Sequence, residues 1–411
     1  MGQSRSRVAE SGKHVDKNPP WTPQVPEVDR ETTPLADKEA AFEMAFMLES
    51  MRMKNFAAEK SNLDKILASE DNSGERYEYE SFELPLDEQG FAASFDLADA
   101  DGIRSFFAEH GLVVVRDVLT PDACERSVDE LWAFVERQVP TLNRSDPRTW
   151  ERWPSLSKLG ILGNTFVLSP QFCRNRQDER VHRAFATVFG TEELLVNVGR
   201  VSAMRPTRGV RMPATDTEAA ELVDKPEWKS TAGGEWLHWD VNPFTGHASS
   251  FSWRLKDVKA NRGYDRLHVQ AILALDDCRS EDGGFFCVPN SQHALRGWAH
   301  AHQHLRKKVN SAESSCQCLL PRDDPLLQQG QRVPIRAGSL LIWNAHLAHC
   351  NYPNDSDRMR LVQYIQMIRA DDPALAPLLV DSNLLPPTSA FELTALGRKL
   401  HRFEPWPKTK H

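Results

Sequence analysis

Near the middle of the chain, the stretch Gly233-Gly234-Glu235-Trp236-Leu237-His238-Trp239-Asp240-Val241-Asn242-Pro243 constrains the fold more than any other. Its centre, His238-x-Asp240, sets an imidazole and a carboxylate two residues apart. Side chains alternate along a β-strand, so this spacing turns both groups to one face. With a third ligand from another strand they would form a facial triad with open coordination positions, the donor set of non-haem Fe(II) oxygenases. Context separates this pair from a second copy, His14-Val15-Asp16, which sits in a polar, proline-rich segment and is read as meaningless. His238 instead lies among Trp236, Trp239, Phe251 and Trp253, an aromatic setting able to wall off a dry cavity.

The candidate third ligand lies about a hundred residues on. An apolar run, Leu340-Leu341-Ile342-Trp343, leads to His346 and His349; Tyr352-Pro353-Asn354 then turns the chain, and a second strand begins near Arg358 and Arg360. On a regular strand His346 and His349 would face opposite ways, so one of them points inward. Arg358 and Arg360 would share a face. Either could take a fixed carboxylate, because a guanidinium fork binds one bidentately and never loses its charge. 2-Oxoglutarate has that need: it chelates iron through its keto-acid end and leaves its far carboxylate free. Asn351, two positions after His349, and Gln270, on a central strand, are lesser candidates for polar contacts to it, and for Gln270 an ordinary sheet residue is the plainer reading.

These residues together resemble the phytanoyl-CoA dioxygenase family of Fe(II) and 2-oxoglutarate-dependent oxygenases. The similarity extends to Phe106 through Arg116, which looks like the family's entry helix and first strand. It also takes in Ala274-Leu275-Asp276-Asp277 and Asp282 through His293, which look like its central hairpin and following turn. It runs from roughly residue 95 to residue 370. The resemblance selects His349 over His346 and Arg360 over Arg358. It implies iron held by His238, Asp240 and His349, 2-oxoglutarate oriented by Arg360, and O2 as the oxidant. The implied reaction is hydroxylation of a C–H bond of a small molecule, a CoA ester or a secondary metabolite among the candidates, with release of succinate and CO2. An aspartate at position 240 leaves no room for a halide, which disfavours halogenation. The same centre could run desaturation or rearrangement. A cupin-like Zn(II) or Mn(II) enzyme, or a non-catalytic binding module, would share the scaffold but leave Arg360 without an obvious task.

Many short strands with interspersed helices, and ligands on separated strands, point to a mainly β fold with buttressing helices around a double-stranded β-helix, the jelly-roll core of cupins. The resemblance implies the same fold. At 411 residues the chain exceeds a typical single domain. A disordered tail over 1–35, a helical extension and linker over 36–90, and an oxygenase domain over 91–411 are expected, with an insertion near 294–332. Within these, the residues predict a helix over 36–57, a linker over 69–81, and a helix from Thr120-Pro121-Asp122 to about Arg137. Strands are expected over 194–202, 266–275 and 284–288, and a long substrate-covering loop over 206–235. In the insertion, His302, His304 and Lys307 could attract an anionic substrate, but a solvated helix face is the plainer reading.

A net charge of -8 argues against nucleic acid as a partner. Seven cysteines without framework spacing fit a reducing compartment, and Cys316-x-Cys318 is too close-set for a usual zinc knuckle. With no transmembrane-length apolar run and no secretory signal, an intracellular, cytoplasmic protein is expected. Met1-Gly2-Gln3-Ser4-Arg5-Ser6 fits the loose N-myristoylation pattern, and Arg7-Val8 with His14-Val15 resembles a peroxisomal nonapeptide; short patterns like these arise by chance.

Overall fold

In the computed structural model, residues 77–156, 160–162, 169–197, 199–214, 219–230, 236–244, 246, 267–311, 318–372 and 391–407 are described. The tail, the helix expected over 36–57 and both address-like patterns lie outside them, as does Cys316. Two stacked antiparallel sheets organise the described residues. The larger joins β1 (Leu112–Val115), β13 (Leu340–Asn344), β9 (Val269–Ala274), β15 (Arg360–Arg369), β5 (Val201–Met204), β3 (Ile161–Leu162) and β2 (Ser155–Leu156), with β4 (Leu194–Asn197) also pairing β15. The smaller joins β11 (Cys318–Leu319), β8 (His238–Trp239), β14 (His349–Tyr352), β10 (Gly284–Cys287) and β12 (Gln331–Arg332). From β5 onward the chain crosses between the sheets: β5, β9, β13 and β15 lie in the larger, and β8, β10, β12 and β14 in the smaller. That winding is a double-stranded β-helix, the jelly roll.

Three apolar layers follow from side-chain alternation. Ala271, Leu273, Leu361 and Ile365 face outward from the larger sheet. They pack against α1 (Ala100–His110), α2 (Pro121–Gln138) and α4 (Glu179–Phe189), which contribute Phe107, Leu131 and Phe185. Their neighbours Ile272, Ala274, Val362 and Trp343 face inward and meet Phe285 and Cys287 of the smaller sheet. Trp239, Phe286 and Cys350 face out from the smaller sheet against Leu295 and Trp298 of α5 (Ser291–Ala301). The helix ends follow their caps: Thr120 accepts from Ala123 N at the start of α2, and Gly111, at φ 77°, closes α1 in the left-handed conformation that glycine adopts freely.

The structure departs from expectation in several places. The strand expected over 194–202 is broken into β4 and β5, both paired to β15. At Gly199 a Cβ would fall 2.1 Å from the Tyr364 carbonyl, so the backbones meet too closely for a regular ladder to continue. The stretch 206–235 is not a featureless loop: β6 (Val210–Met212) and β7 (Glu221–Val223) form a hairpin there. Upstream, Tyr79 Oη donates to the Pro289 carbonyl and Phe82 stacks on His110. The stretch from Ser291 to Arg332 carries α5, α6 (Arg306–Ser311) and the short strands β11 and β12. At the C-terminal end, α7 (Ala395–Leu400) lies against β4, and Trp406 donates its indole N–H to Leu194 O. The remaining short helix, α3 (Pro170–Arg176), packs against α2 and α4. No helix among the described residues is long and apolar enough to cross a membrane.

Candidate metal centre

His238 and Asp240 emerge on the inner face of the smaller sheet, and His349 opens β14 directly opposite His238 in register. All three are buried, and one ligand atom from each lies within 4.8 Å of the others. His238 Nε2 is 3.5 Å from Asp240 Oδ1, and His349 Nε2 is 3.4 Å from Asp240 Oδ2. The far side of each ring fixes its tautomer: His238 Nδ1 sits 2.9 Å from Trp236 O and His349 Nδ1 2.8 Å from Leu347 O. A carbonyl only accepts, so both Nδ1 atoms carry hydrogen and both Nε2 atoms face the carboxylate. The gap between each Nε2 and that carboxylate is one that a shared cation would bridge. Burial alone would push the Asp240 carboxyl up, but the two imidazoles beside it hold it well below the usual carboxylate range. Two nitrogens and one carboxylate, converging and dry, suit a divalent transition metal with positions to spare.

Aromatic rings enclose this cluster. Trp236 stacks on His238 with centroids 5.0 Å apart, Phe285 on His349 at 5.6 Å, and Trp343 tilts toward His349 at 5.3 Å. From the opposing sheet, Gln270 Nε2 donates to Asp240 Oδ2 at 2.5 Å. The Gln270 amide is thus spent on the Asp240 carboxylate. Asn351 Nδ2 donates to the Tyr364 hydroxyl at 2.8 Å, tying β14 to β15 across the interior. The sequence reading passed over Tyr364, although its spacing of four from Arg360 on one strand places both on the inner face.

The two arginines part company. Arg358 is half-buried and pairs with Asp276 at 3.3 Å and Asp282 at 3.6 Å. Arg360 is 0% exposed and pairs with no carboxylate among the described residues. Its Nη1 donates to Ser202 Oγ at 3.2 Å, while Nε and Nη2 are buried without a hydrogen-bond partner. Burial pushes the adjacent Cys278 thiol up to about 12, so it is neutral and supplies no counter-charge. An unpaired buried guanidinium costs several kcal/mol, which an incoming carboxylate would offset. The residues therefore fit a ligand with a distal carboxylate.

Two histidines fall elsewhere than expected. His346 is not on a strand, so the argument from alternation does not reach it. It occupies the turn between β13 and β14, is buried, and has Nε2 3.3 Å from Gly246 O, with its imidazole pushed down by burial. His302 is not on a solvated face: it is fully buried, stacked on Trp298 at 4.1 Å, whereas His304 and Lys307 are exposed. The six described cysteines are buried free thiols.

With this geometry in hand, comparisons place the chain. The profile of the family described as Phytanoyl-CoA dioxygenase (PhyH) matches residues 107–362, more than half of the chain. A Dictyostelium discoideum protein named, provisionally, as a phytanoyl-CoA dioxygenase is 24% identical over 324 residues, covering 70% of this chain and 86% of that protein. Among solved structures, AviO1 from Streptomyces viridochromogenes Tue57 aligns at 16% identity and TM-score 0.38 over 67% of this chain and 96% of its own. The epimerase SnoN with Fe3+, alpha ketoglutarate and nogalamycin RO aligns at 16% and 0.38 over 66% and 84%. At those scores nothing is carried over from either structure. The family profile, by its span, suffices: the chain belongs to the phytanoyl-CoA dioxygenase family, whose cofactors are Fe(II) and 2-oxoglutarate with O2.

Proposed function

We propose that the protein is an Fe(II)/2-oxoglutarate-dependent dioxygenase that hydroxylates a C–H bond of a small-molecule substrate. One observation carries the reading: a converged His238, Asp240, His349 cluster shares an inter-sheet interior with a buried arginine that has no acidic partner among the described residues. His238, Asp240 and His349 would hold the metal, a donor set that leaves room for cosubstrate and O2. When bound, Fe(II) with 2-oxoglutarate supplies a two-electron oxidation of substrate by O2, with release of succinate and CO2. Gln270 keeps Asp240 in its ligating orientation, and the two backbone carbonyls keep both imidazoles turned. Arg360 binds the far carboxylate of 2-oxoglutarate, and Asn351 with Tyr364 lines the same interior. Trp236, Phe285 and Trp343 exclude water from the rings they cover. Because Asp240 occupies the position a halide would need, hydroxylation is favoured over halogenation.

The test is aerobic incubation with Fe(II), 2-oxoglutarate and a panel of small molecules that includes CoA esters, following succinate and the mass of each candidate. Succinate formation that needs Fe(II), with one oxygen gained by a substrate, is the expected result. Loss of two hydrogens instead would replace hydroxylation with desaturation. Turnover supported equally by Zn(II) would overturn the redox reading.

A further inference from the structure

The edge of Arg360 left open is a particular one. Nη1 is committed to Ser202 Oγ, and the Ser202 hydroxyl in turn donates to Gly160 O at 3.0 Å, so the serine cannot turn away without losing two bonds. Nε and Nη2 remain, and these form the side-on edge of a guanidinium, able to meet both oxygens of one carboxylate. Facing Nε from the opposite sheet is Gly284. A Cβ there would lie 3.0 Å from Arg360 Nε, tighter than most side-chain carbons pack, so the guanidinium would have to give by a few tenths of an ångström. Gly284 also has φ 120°, a backbone conformation that side-chain-bearing residues rarely adopt. Its neighbour Gly283 is crowded by backbone atoms of Pro353 and Asn354 instead, so only Gly284 bears on the arginine.

We propose that Gly284 and Ser202 form a seat that presents the Nε–Nη2 edge of Arg360 at a fixed depth between the sheets, so that these two positioning residues set which 2-oxo diacid the pocket accepts. Ser202 fixes the rotation of the guanidinium about its long axis. Gly284 leaves the space into which Nε retracts, which sets how far the distal carboxylate must reach from the metal. A methyl group at 284 displaces the guanidinium from that depth and changes the reach. The five-carbon cosubstrate, matched to the natural depth, then fits worse, and its preference over the four-carbon oxaloacetate changes. The inference rests on Arg360 as the carboxylate anchor, and the test separates the two.

The experiment is calorimetric titration of 2-oxoglutarate, and separately of oxaloacetate, into Mn(II)-loaded full-length protein, which binds without turnover. Four proteins are compared: the natural chain, Arg360→Gln, Gly284→Ala and Ser202→Ala. The seat predicts that Gly284→Ala weakens 2-oxoglutarate about 10-fold and changes its affinity ratio to oxaloacetate. Ser202→Ala, which introduces no strain, is expected to weaken 2-oxoglutarate by roughly threefold. Natural-level binding and an unchanged ratio in either folded variant, with Arg360→Gln defective, overturn the seat and leave the anchor standing. Natural-level binding in Arg360→Gln overturns the anchor itself. Should Gly284→Ala fail to fold by circular dichroism, the Ser202→Ala result decides by the same criterion.

Discussion

The smaller sheet carries a buried histidine–aspartate group on each of its faces, and the two behave oppositely. On the inner face, His238, His349 and Asp240 turn their ligand atoms toward one another, with both Nδ1 atoms on backbone carbonyls and Gln270 on Asp240 Oδ2. On the outer face, Asp324 is saturated: its carboxylate accepts from Tyr77 Oη and Trp298 Nε1, both at 2.5 Å, and from Leu326 N at 2.9 Å, with His302 Nε2 3.9 Å away. Burial pushes both the Tyr77 hydroxyl up and the His302 imidazole down, which leaves each of them neutral. One group converges on a point that could hold a cation; the other is a closed network that pins Tyr77 and Trp298 to Asp324. Burial of a histidine beside an aspartate therefore says little about function. What the remaining atoms point at decides it.

That contrast can be broken by swapping consequences. The largest expected effect is in Asp240→Ala, which abolishes Fe(II) binding, read by metal analysis after desalting, while leaving the thermal midpoint near that of the natural protein. Arg360→Gln comes next, with the apparent KM for 2-oxoglutarate raised by roughly 100-fold; Arg358→Gln, whose salt bridges are partly solvent-screened, should change it by less than about twofold. Asp324→Ala should do the reverse of Asp240→Ala. It orphans two buried donors and costs about 2–4 kcal/mol in urea unfolding, with Fe(II) stoichiometry intact. Gln270→Leu frees the ligand carboxylate and is expected to weaken Fe(II) about 10-fold, by competition with a chelating dye. Smallest is Tyr77→Phe, about 1 kcal/mol of stability with no change at the metal. A loss of iron in Asp324→Ala, or of stability alone in Asp240→Ala, would erase the distinction.

Much of the jelly roll was legible because its parts are local. The Thr120 cap, the alternation through β9 and β10, and the two-residue spacing of His238 and Asp240 are properties of short stretches. What escaped depends on partners distant in sequence. The break between β4 and β5 arises where Gly199 meets the Tyr364 carbonyl, and one strand's pattern does not announce its neighbour's approach. His346 was placed on a strand because Leu340 to His349 reads as one apolar run; the turn at 345–347 interrupts it. Basic residues nearby made His302 look solvent-facing, yet its ring completes the Trp298 stack beneath the sheet. Gln270 reads from its strand as a plain sheet residue, and the Asp240 carboxylate it reaches is brought within range only by cross-sheet packing.

The central claim is that the inner-face cluster is an iron site built from His349 rather than His346. Anaerobic titration of the metal-free protein with Fe(II) and 2-oxoglutarate tests it most directly, through the weak visible charge-transfer band of chelated 2-oxoglutarate. The account predicts the band in the natural protein and in His346→Ala, and its absence in His349→Ala. A folded natural protein without the band, or a band that survives in His349→Ala, would contradict it.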